Sequence, residues 1–182
     1  MTRTYRSSLA ALAVVPLLCG PVALAAQPAA LLQPQVLVAD RSLPAAQQQS
    51  QVLAARRYGS FWASGDEALA RAALAPDFMD RTLPPGRAQG VEGPIAASRG
   101  FRAAVPDLTA RIEQMLVTGD RVVVHLRFSG HFSGEFQGRR GAGQAVDFIA
   151  TDIYRIAEGR IAENWHLEDN LTLMQQLGLV AR

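Results

Sequence analysis

The chain has little cysteine, no lysine and only three histidines among its 182 residues. A single cysteine, Cys19, cannot form a disulfide within the chain. The absence of lysine excludes Schiff-base chemistry on a lysine side chain. All 18 basic residues are therefore arginines, and against 16 acidic residues they leave a net charge of only +2. This near balance argues against a surface that binds nucleic acid.

The first residues have the pattern of a secretory signal peptide. Arg3 and Arg6 precede an apolar run at 9–18, and the small residues of 23–25 (ALA) fit a cleavage site. The run is too short for a comfortable membrane span. We therefore expect residues 1–25 to be removed, which leaves no cysteine and no stable membrane insertion. The mature protein is then exported, either periplasmic or secreted.

Two further regions follow the predicted signal peptide. Residues 26–44 are rich in Ala, Gln, Leu and Pro without clear periodicity, which predicts a flexible leader. Residues 45–182 suit one domain with one core. Helical spacing of apolar residues occurs at 45–63, 66–74, 91–105 and 171–177. Strand patterns occur at 75–80, 108–118, 121–132 and 144–168. Three helices before a run of strands indicate an α+β domain, not a doubly wound one.

The main functional signal lies in residues 144–170. Glu158 and Gly159 separate two alternating runs, which predicts a tight β-hairpin. Because strand side chains alternate between faces, Asp152 shares its face with apolar residues alone. These neighbours are Phe148, Ala150, Tyr154 and Ile156. An ionised carboxyl is costly there, so it is either paired or has a raised pKa suited to proton transfer.

The second run of this hairpin and the first helix supply further candidates for a pocket. With regular alternation, Glu163, Trp165 and Asp169 share a face and approach the same volume as Asp152. Asp169 also directly precedes the predicted closing helix, so it is a candidate cap. The first helix carries one aromatic stripe, which predicts core packing together with a pocket wall. This stripe consists of Tyr58, Phe61 and Trp62.

Several short motifs occur in a characteristic order and spacing. They are 61–66 (FWASGD), 74–78 (LAPDF), 84–86 (PPG), 105–108 (VPDL), 119–122 (GDRV), 133–136 (SGEF), 152–155 (DIYR) and 159–161 (GRI), then Trp165 and Asp169. Together they resemble the SnoaL-like polyketide cyclases, or ester cyclases, of the nuclear transport factor 2-like superfamily. The resemblance covers about residues 56–179.

The resemblance implies a cone-shaped fold with three N-terminal helices packed on a curved, mostly antiparallel sheet around a central pocket. It also implies a homodimer that pairs through the outer sheet face. The implied chemistry is cofactor-independent acid/base catalysis, without a metal, in the intramolecular aldol condensation of a polyketide ester. The buried aspartate of that reaction corresponds to Asp152.

Two positions depart from the family pattern. Relatives often carry histidine where this chain has Arg81, and again where it has Phe132. His131 lies one position before Phe132 and is the candidate partner of Asp152, provided that a bulge turns it inwards. His166 directly follows Trp165 in the predicted strand, so its side chain is expected on the opposite face, which indicates an ordinary structural histidine.

The sequence thus predicts an ester cyclase-type enzyme that performs aldol-type cyclisation, or a related isomerisation or hydrolysis, on an apolar carbonyl compound. Its predicted catalytic residues are Asp152 and His131. The predicted pocket residues are Tyr58, Phe61, Trp62, Phe128, Phe132, Tyr154, Trp165 and Asp169. The alternative is an exported protein of the same fold that binds an apolar small molecule without turnover. An accessible Asp152 with a near-neutral pKa favours the enzyme, whereas an Asp152 locked against an arginine favours the binding protein.

Overall fold

The computed structural model describes residues 30–181, so the predicted signal peptide lies outside the described residues. Four helices are present in this part of the chain: α1 (Ala45–Ser64), α2 (Glu67–Ala73), α3 (Glu92–Ala104) and α4 (Asn170–Leu177). Each overlaps a segment for which the sequence predicts a helix. No helix among the described residues is long and apolar enough to cross a membrane.

Six strands form one curved sheet, in the order β1-β3-β4-β7-β8-β2. They are β1 (Pro34–Ala39), β2 (Leu74–Asp80), β3 (Thr109–Thr118), β4 (Arg121–Phe132), β7 (Gln144–Ala157) and β8 (Arg160–Glu168). Two short strands, β5 (Glu135–Phe136) and β6 (Arg139–Arg140), form a separate hairpin in the glycine-rich connection. The central strands β3, β4, β7 and β8 pair with one another in the antiparallel direction. The edge strand β1 pairs in parallel with β3, and the edge strand β2 pairs in parallel with β8. The predicted α+β fold, with helices on a mostly antiparallel sheet, is confirmed.

Part of the predicted flexible leader is in fact a strand. β1 pairs in parallel with β3, and Arg56 of α1 donates to the Leu32 carbonyl oxygen at 2.7 Å. The prediction is therefore wrong for Pro34–Ala39. This edge strand carries exposed residues in succession, so its sequence lacks the period of two by which a half-buried strand is recognised.

Local sequence places the helices against the inner face of the sheet. Gly65 ends α1 in the left-handed conformation, with φ of 78° and its N–H bonded to the Phe61 carbonyl. Asp66 then caps α2 by accepting from the Ala68 N–H at 2.9 Å. α1 packs its buried Tyr58 and Phe61 into the core below the sheet.

The pairing of β4 with β7 is regular, whereas β8 contains one extra residue. Arg155 lies opposite Glu163, but Ile156 lies opposite Ile161, so Ala162 is a β-bulge. Because one residue exchanges the two faces of a strand, the bulge turns the even-numbered residues after it towards the inner face. This reversal decides which side chains of β8 reach the pocket.

Candidate active site

A cavity of about 700 Å³ lies between α1, α3 and the inner face of the sheet. Its apolar wall contains Tyr58, Trp62, Phe101, Phe128, Phe136 and Phe148. Phe128 and Phe148 stack, with ring centroids 5.1 Å apart and planes inclined by 14°. Phe101 packs edge-on against Phe148 at 5.9 Å. Such a wall suits a ligand with a flat apolar body.

Asp152 lies in the wall of this cavity and is only 5% exposed. The hydroxyl of Tyr154 donates to Asp152 Oδ2 at 2.7 Å, and this is the one hydrogen bond to the Asp152 carboxyl within residues 30–181. Burial raises the pKa of Asp152 to about 6, although the Tyr154 hydrogen bond and the charge of His166 oppose the change. The carboxyl is therefore poised to gain or lose a proton near neutral pH.

His166 lies opposite Asp152 in the pairing of β7 with β8. Its Nδ1 bonds Glu168 Oε1 at 2.7 Å, and its Nε2 lies 3.0 Å from Asp80 Oδ2. Burial disfavours the charged imidazole, but the bonds and charges of Glu168 and Asp80 outweigh it and raise the pKa of His166 to about 9. His166 is thus a cation at neutral pH with both ring nitrogens occupied.

The loop after β2 holds the Asp80 end of this cluster. The Thr82 N–H donates to Asp80 Oδ1 at 2.9 Å, and the His166 N–H donates to Thr82 Oγ1 at 2.9 Å. Gln89 accepts from the Asp80 N–H at 2.7 Å and donates to its carbonyl at 3.0 Å. Arg87 lines the cavity and lies 3.9 Å from Asp80 Oδ2. These bonds fix the orientation of the carboxylate that faces His166.

The structure places three of the predicted pocket residues in the cavity wall: Tyr58, Trp62 and Phe128. Three others, Phe61, Phe132 and Tyr154, are fully buried in the core behind the wall. Tyr154 nevertheless reaches Asp152 through its hydroxyl. Burial and the neighbouring Asp152 raise the pKa of Tyr58, so its hydroxyl stays neutral.

The pocket predictions for Trp165 and Asp169 are wrong. Trp165 lies on the outer face of the sheet because of the bulge, and the Arg121 guanidinium lies 5.6 Å from its ring centroid. Asp169 caps α4, where its carboxylate accepts from the Thr172 N–H at 3.1 Å and from the Thr172 hydroxyl at 2.7 Å. Neither side chain lines the cavity.

The structure also contradicts the pairing of His131 with Asp152. The register of β4 with β7 is uninterrupted, so no bulge turns His131 inwards. His131 lies on the outer face, and its Nδ1 bonds Asp107 Oδ2 at 2.7 Å. Arg81, at the other departure from the family pattern, donates to Glu163 Oε2 at 3.0 Å, away from the cavity.

Sequence reasoning missed the polar residues that do face the cavity from β8, namely Asn164, His166 and Glu168. All three depend on the bulge at Ala162. The one available signal was the break in alternation at Ile161 and Ala162, two successive apolar residues before an acidic one. No three His, Cys, Asp or Glu side chains between residues 30 and 181 are arranged to hold a metal ion.

Known proteins share this architecture. A candidate polyketide cyclase of known structure from Bacillus cereus is 41% identical, with a TM-score of 0.76, over 83% of this chain and 95% of that one. TsrD from Streptomyces laurentii is 28% identical, with a TM-score of 0.65, over 76% and 99% of the two chains. IdmH from Streptomyces antibioticus, described as a candidate polyketide cyclase, is 29% identical, with a TM-score of 0.62, over 69% and 96%. No curated protein sequence matches the chain.

The family model of the SnoaL-like polyketide cyclases matches residues 52–177. That range contains α1 from Val52 onwards, the strands β4, β5, β7 and β8 that contribute to the cavity wall, and all of α4. The match therefore includes both the fold and the position of Asp152. By this match, and by the identity to the Bacillus cereus protein, the chain belongs to the SnoaL-like polyketide cyclase family, with the nuclear transport factor 2-like fold.

Proposed function

We propose that the protein is a cofactor-independent acid/base enzyme acting on an apolar, carbonyl-containing small molecule. The reaction is an aldol-type cyclisation or a related isomerisation or hydrolysis. The observation that carries this proposal is Asp152, a buried carboxyl in the wall of an aromatic cavity with its pKa raised to about 6. A general base is most effective when its pKa lies near the working pH.

Asp152 performs both proton transfers of the cyclisation. Above pH 6 its carboxylate removes a proton from the carbon beside one carbonyl group of the substrate. The resulting enolate carbon attacks a second carbonyl carbon, so a carbon–carbon bond forms and the C=O π bond breaks. The new alkoxide oxygen then takes the proton from the Asp152 carboxyl, which restores the carboxylate. Tyr154 fixes Oδ2, which leaves Oδ1 for the transfer.

The His166 cluster sets the electrostatic environment of this carboxyl. His166 lowers the pKa of Asp152, whereas Glu168 and Asp80 raise it. Because both nitrogens of His166 are bonded to carboxylates, it is not free to carry a proton for the substrate. Its role is to hold a fixed positive charge opposite Asp152.

The surroundings of Asp152 favour the enzyme over the binding protein. Arg127, on the neighbouring strand β4, does not pair with Asp152. Its Nε donates to Asp147 Oδ1 at 2.6 Å on the outer face of the sheet. No arginine bonds Asp152 in the part of the chain that the structure describes. The aromatic walls can also hold a flexible chain in a folded shape, which lowers the entropic cost of ring closure.

Proton abstraction can be measured with 2-tetralone, an apolar ketone with acidic α-protons, by following its deuterium exchange in D₂O by NMR. We expect the protein to accelerate exchange, with a rate that rises through pH 6 as Asp152 ionises. Asp152→Asn should lose roughly 10²- to 10⁴-fold of this acceleration. Asp147→Asn on the outer face is the matched control and should leave it unchanged. If the protein binds 2-tetralone but does not accelerate the exchange, the enzyme hypothesis is rejected in favour of a protein that binds the small molecule without turnover.

A further inference from the structure

Two cations line the cavity in the described part of the chain, Arg87 and His166. Both ring nitrogens of His166 are bonded to carboxylates, those of Glu168 and Asp80. The Arg87 guanidinium makes no hydrogen bond with residues 30–181, and its ion pair with Asp80 is long, at 3.9 Å from Nη1 to Oδ2. A guanidinium carries several N–H donors, so Arg87 can bind a negatively charged oxygen from outside the chain.

The donors of Arg87 are accessible and not sealed in the core. The Arg87 side chain is 23% exposed. In the described range, the arginines with a buried and partnerless side-chain nitrogen are Arg102 and Arg121, and neither of them lines the cavity. Arg87 lines the cavity, and none of its nitrogens is buried in this way. Its N–H groups can therefore reach a ligand without any rearrangement of the core.

The loop that carries Arg87 is packed against α3. Gly86 adopts the left-handed conformation, with φ of 80°, and the Arg87 N–H donates to the Pro84 carbonyl at 3.1 Å. A side chain on Gly93, near the start of α3, would collide with the Ala88 carbonyl. The close approach of loop and helix positions the backbone of Arg87 before a ligand arrives.

The charges around the cavity leave one carboxylate without a matching cation. Asp80 and Glu168 both pair with the His166 cation. Arg87 adds a second positive charge beside Asp80. These four charges balance, so the Asp152 carboxylate is the remaining negative charge above pH 6. When Asp152 takes a proton from a substrate, that negative charge moves to the substrate, where a cation with accessible donors stabilises it.

The side chain of Tyr58 shows that Arg87 and Asp152 act on the same part of the cavity. Burial and the charge of Asp152 raise the pKa of Tyr58, whereas the positive charge of Arg87 lowers it. Tyr58 lines the cavity. A small molecule beside the Tyr58 hydroxyl is therefore within electrostatic range of both groups.

We infer that Arg87 binds the enolate oxygen that forms when Asp152 abstracts a proton from the substrate. The C–H bond beside the carbonyl breaks, its proton goes to Asp152 Oδ1, and its electron pair forms the C=C bond of the enolate. The electron pair of the C=O π bond moves to the oxygen, which accepts hydrogen bonds from the guanidinium. The inference rests on the proposed function and gives the substrate an orientation. The acidic carbon faces β7, and its carbonyl oxygen faces the loop at 84–88.

A phenolate has the negatively charged oxygen of an enolate, so its binding tests the inference without turnover. The probe is 4-nitrophenol, which ionises near neutral pH and whose phenolate absorbs visible light. The protein is Asp152→Asn, because its neutral amide reproduces the charge of the site after the proton transfer. We expect this variant to bind the phenolate roughly tenfold or more tightly than the phenol, which lowers the pKa of the bound probe. Equal affinity for the two forms would overturn the inference.

Removal of the guanidinium should abolish this preference. Arg87→Gln, added to Asp152→Asn, should weaken phenolate binding by roughly 10- to 100-fold, the size of a hydrogen bond to a charged group. Binding of 4-nitroanisole, which cannot ionise, should change by less than about twofold in calorimetry. Arg81→Gln is the matched control, because Arg81 lies near Arg87 in the chain but donates to Glu163 away from the cavity. A preference that survives Arg87→Gln overturns the inference, and so does an equal loss for both probes, which marks a structural role.

The kinetic test uses 2-tetralone and the protein with Asp152 in place. Arg87→Gln should slow deuterium exchange at saturating 2-tetralone by roughly 10²- to 10³-fold, the size of one oxyanion donor. The KM should change little, because the enolate oxygen exists only after proton transfer begins. A higher KM with an unchanged kcat would contradict the assignment, since it would mean that Arg87 binds the ketone and the enolate equally.

The inference and the proposed function fail separately. If 2-tetralone exchange is not accelerated but the phenolate preference depends on Arg87, the enzyme hypothesis falls and the oxyanion site at Arg87 is supported. If exchange depends on Asp152 while the exchange and the phenolate preference both survive Arg87→Gln, the assignment of Arg87 alone is overturned.

Discussion

The two faces of the sheet each carry a histidine bonded to an aspartate, yet the two pairs differ in their surroundings. On the inner face, the side chains of His166 and Asp80 are 6% and 5% exposed. On the outer face, those of His131 and Asp107 are 63% and 54% exposed. The bonds are similar, at 3.0 and 2.7 Å.

This comparison indicates that the burial of a histidine–aspartate pair, and not its hydrogen bond alone, distinguishes the cluster in the candidate active site from the pair on the surface. Water competes for the charges of His131 and Asp107, so their attraction contributes little to the free energy of unfolding. His166 and Asp80 are shielded from water, so the loss of His166 leaves the Asp80 carboxylate buried without its nearest cation. A hydrogen bond between a histidine and an aspartate is therefore weak evidence for a functional site until the face of the sheet on which it lies is known.

The largest effect that tests this comparison is expected from His166→Gln. Removing the buried cation should lower the free energy of unfolding at pH 7 by about 3 to 5 kcal/mol, because Asp80 and Glu168 lose their partner. The matched His131→Gln should cost less than about 1 kcal/mol. Urea unfolding at pH 7 measures both, and similar losses would remove the distinction between the two faces.

The same His166 variant should change the pH dependence of stability. The folded pKa of about 9 lies above the ordinary 6.5, so the stabilising contribution is complete below 6.5 and is lost as the pH rises through 9. Thermal melts between pH 6 and 10 should therefore show a decline in the unaltered protein that is absent from His166→Gln.

A smaller change in the free energy of unfolding, of opposite sign, is expected from Asp152→Asn. This variant removes the ionisable carboxyl of Asp152 and leaves His166 in place. Because the folded pKa of about 6 lies above the ordinary 3.8, the ionisable carboxyl costs stability as the pH rises through this window. The variant should be more stable than the unaltered protein at pH 8 by about 2 to 3 kcal/mol, and the difference should vanish near pH 4. A constant difference at all pH values would mean that Asp152 does not titrate in this window.

The smallest effect concerns assembly through the outer face. Leu167 there is 75% exposed and lies opposite Thr151, and Ile149 and Ile153 are also exposed apolar residues of β7. We expect this surface to form the homodimer that the sequence predicts. Leu167→Glu should then weaken the dimer by roughly tenfold or more in sedimentation equilibrium. Glu158→Gln in the β7–β8 turn is the control, and a monomer before any substitution would contradict the expectation.

The sequence predicted the helices, the hairpins and the inner position of Asp152, because each depends on spacing within a regular segment. β7 alternates without interruption, so parity alone places Asp152 among apolar neighbours. The cap at Asp66 and the turn at Glu158 are likewise local.

The remainder of the site depends on features that no local pattern contains. Asp80 reaches His166 because β2 pairs in parallel with β8, and the two residues are 86 positions apart. The position of the bulge at Ala162 cannot be read from the sequence. Regular alternation therefore predicted that Trp165 lines the pocket and that His166 is an ordinary structural residue. The structure shows the reverse, with Trp165 on the outer face and His166 in the cavity wall. Long-range pairing and a single extra residue together account for the errors.

Ala162 also shows how this strand absorbs a change of length. Because Ile161 lies opposite Ile156 and Glu163 lies opposite Arg155, deletion of the Ala162 codon alone would leave both pairs in place and restore strict alternation. Asn164, His166 and Glu168 would stay on the inner face, opposite the same residues of β7. An insertion or deletion of one residue at this point therefore preserves the polar lining of the cavity, which only substitutions along β8 can replace.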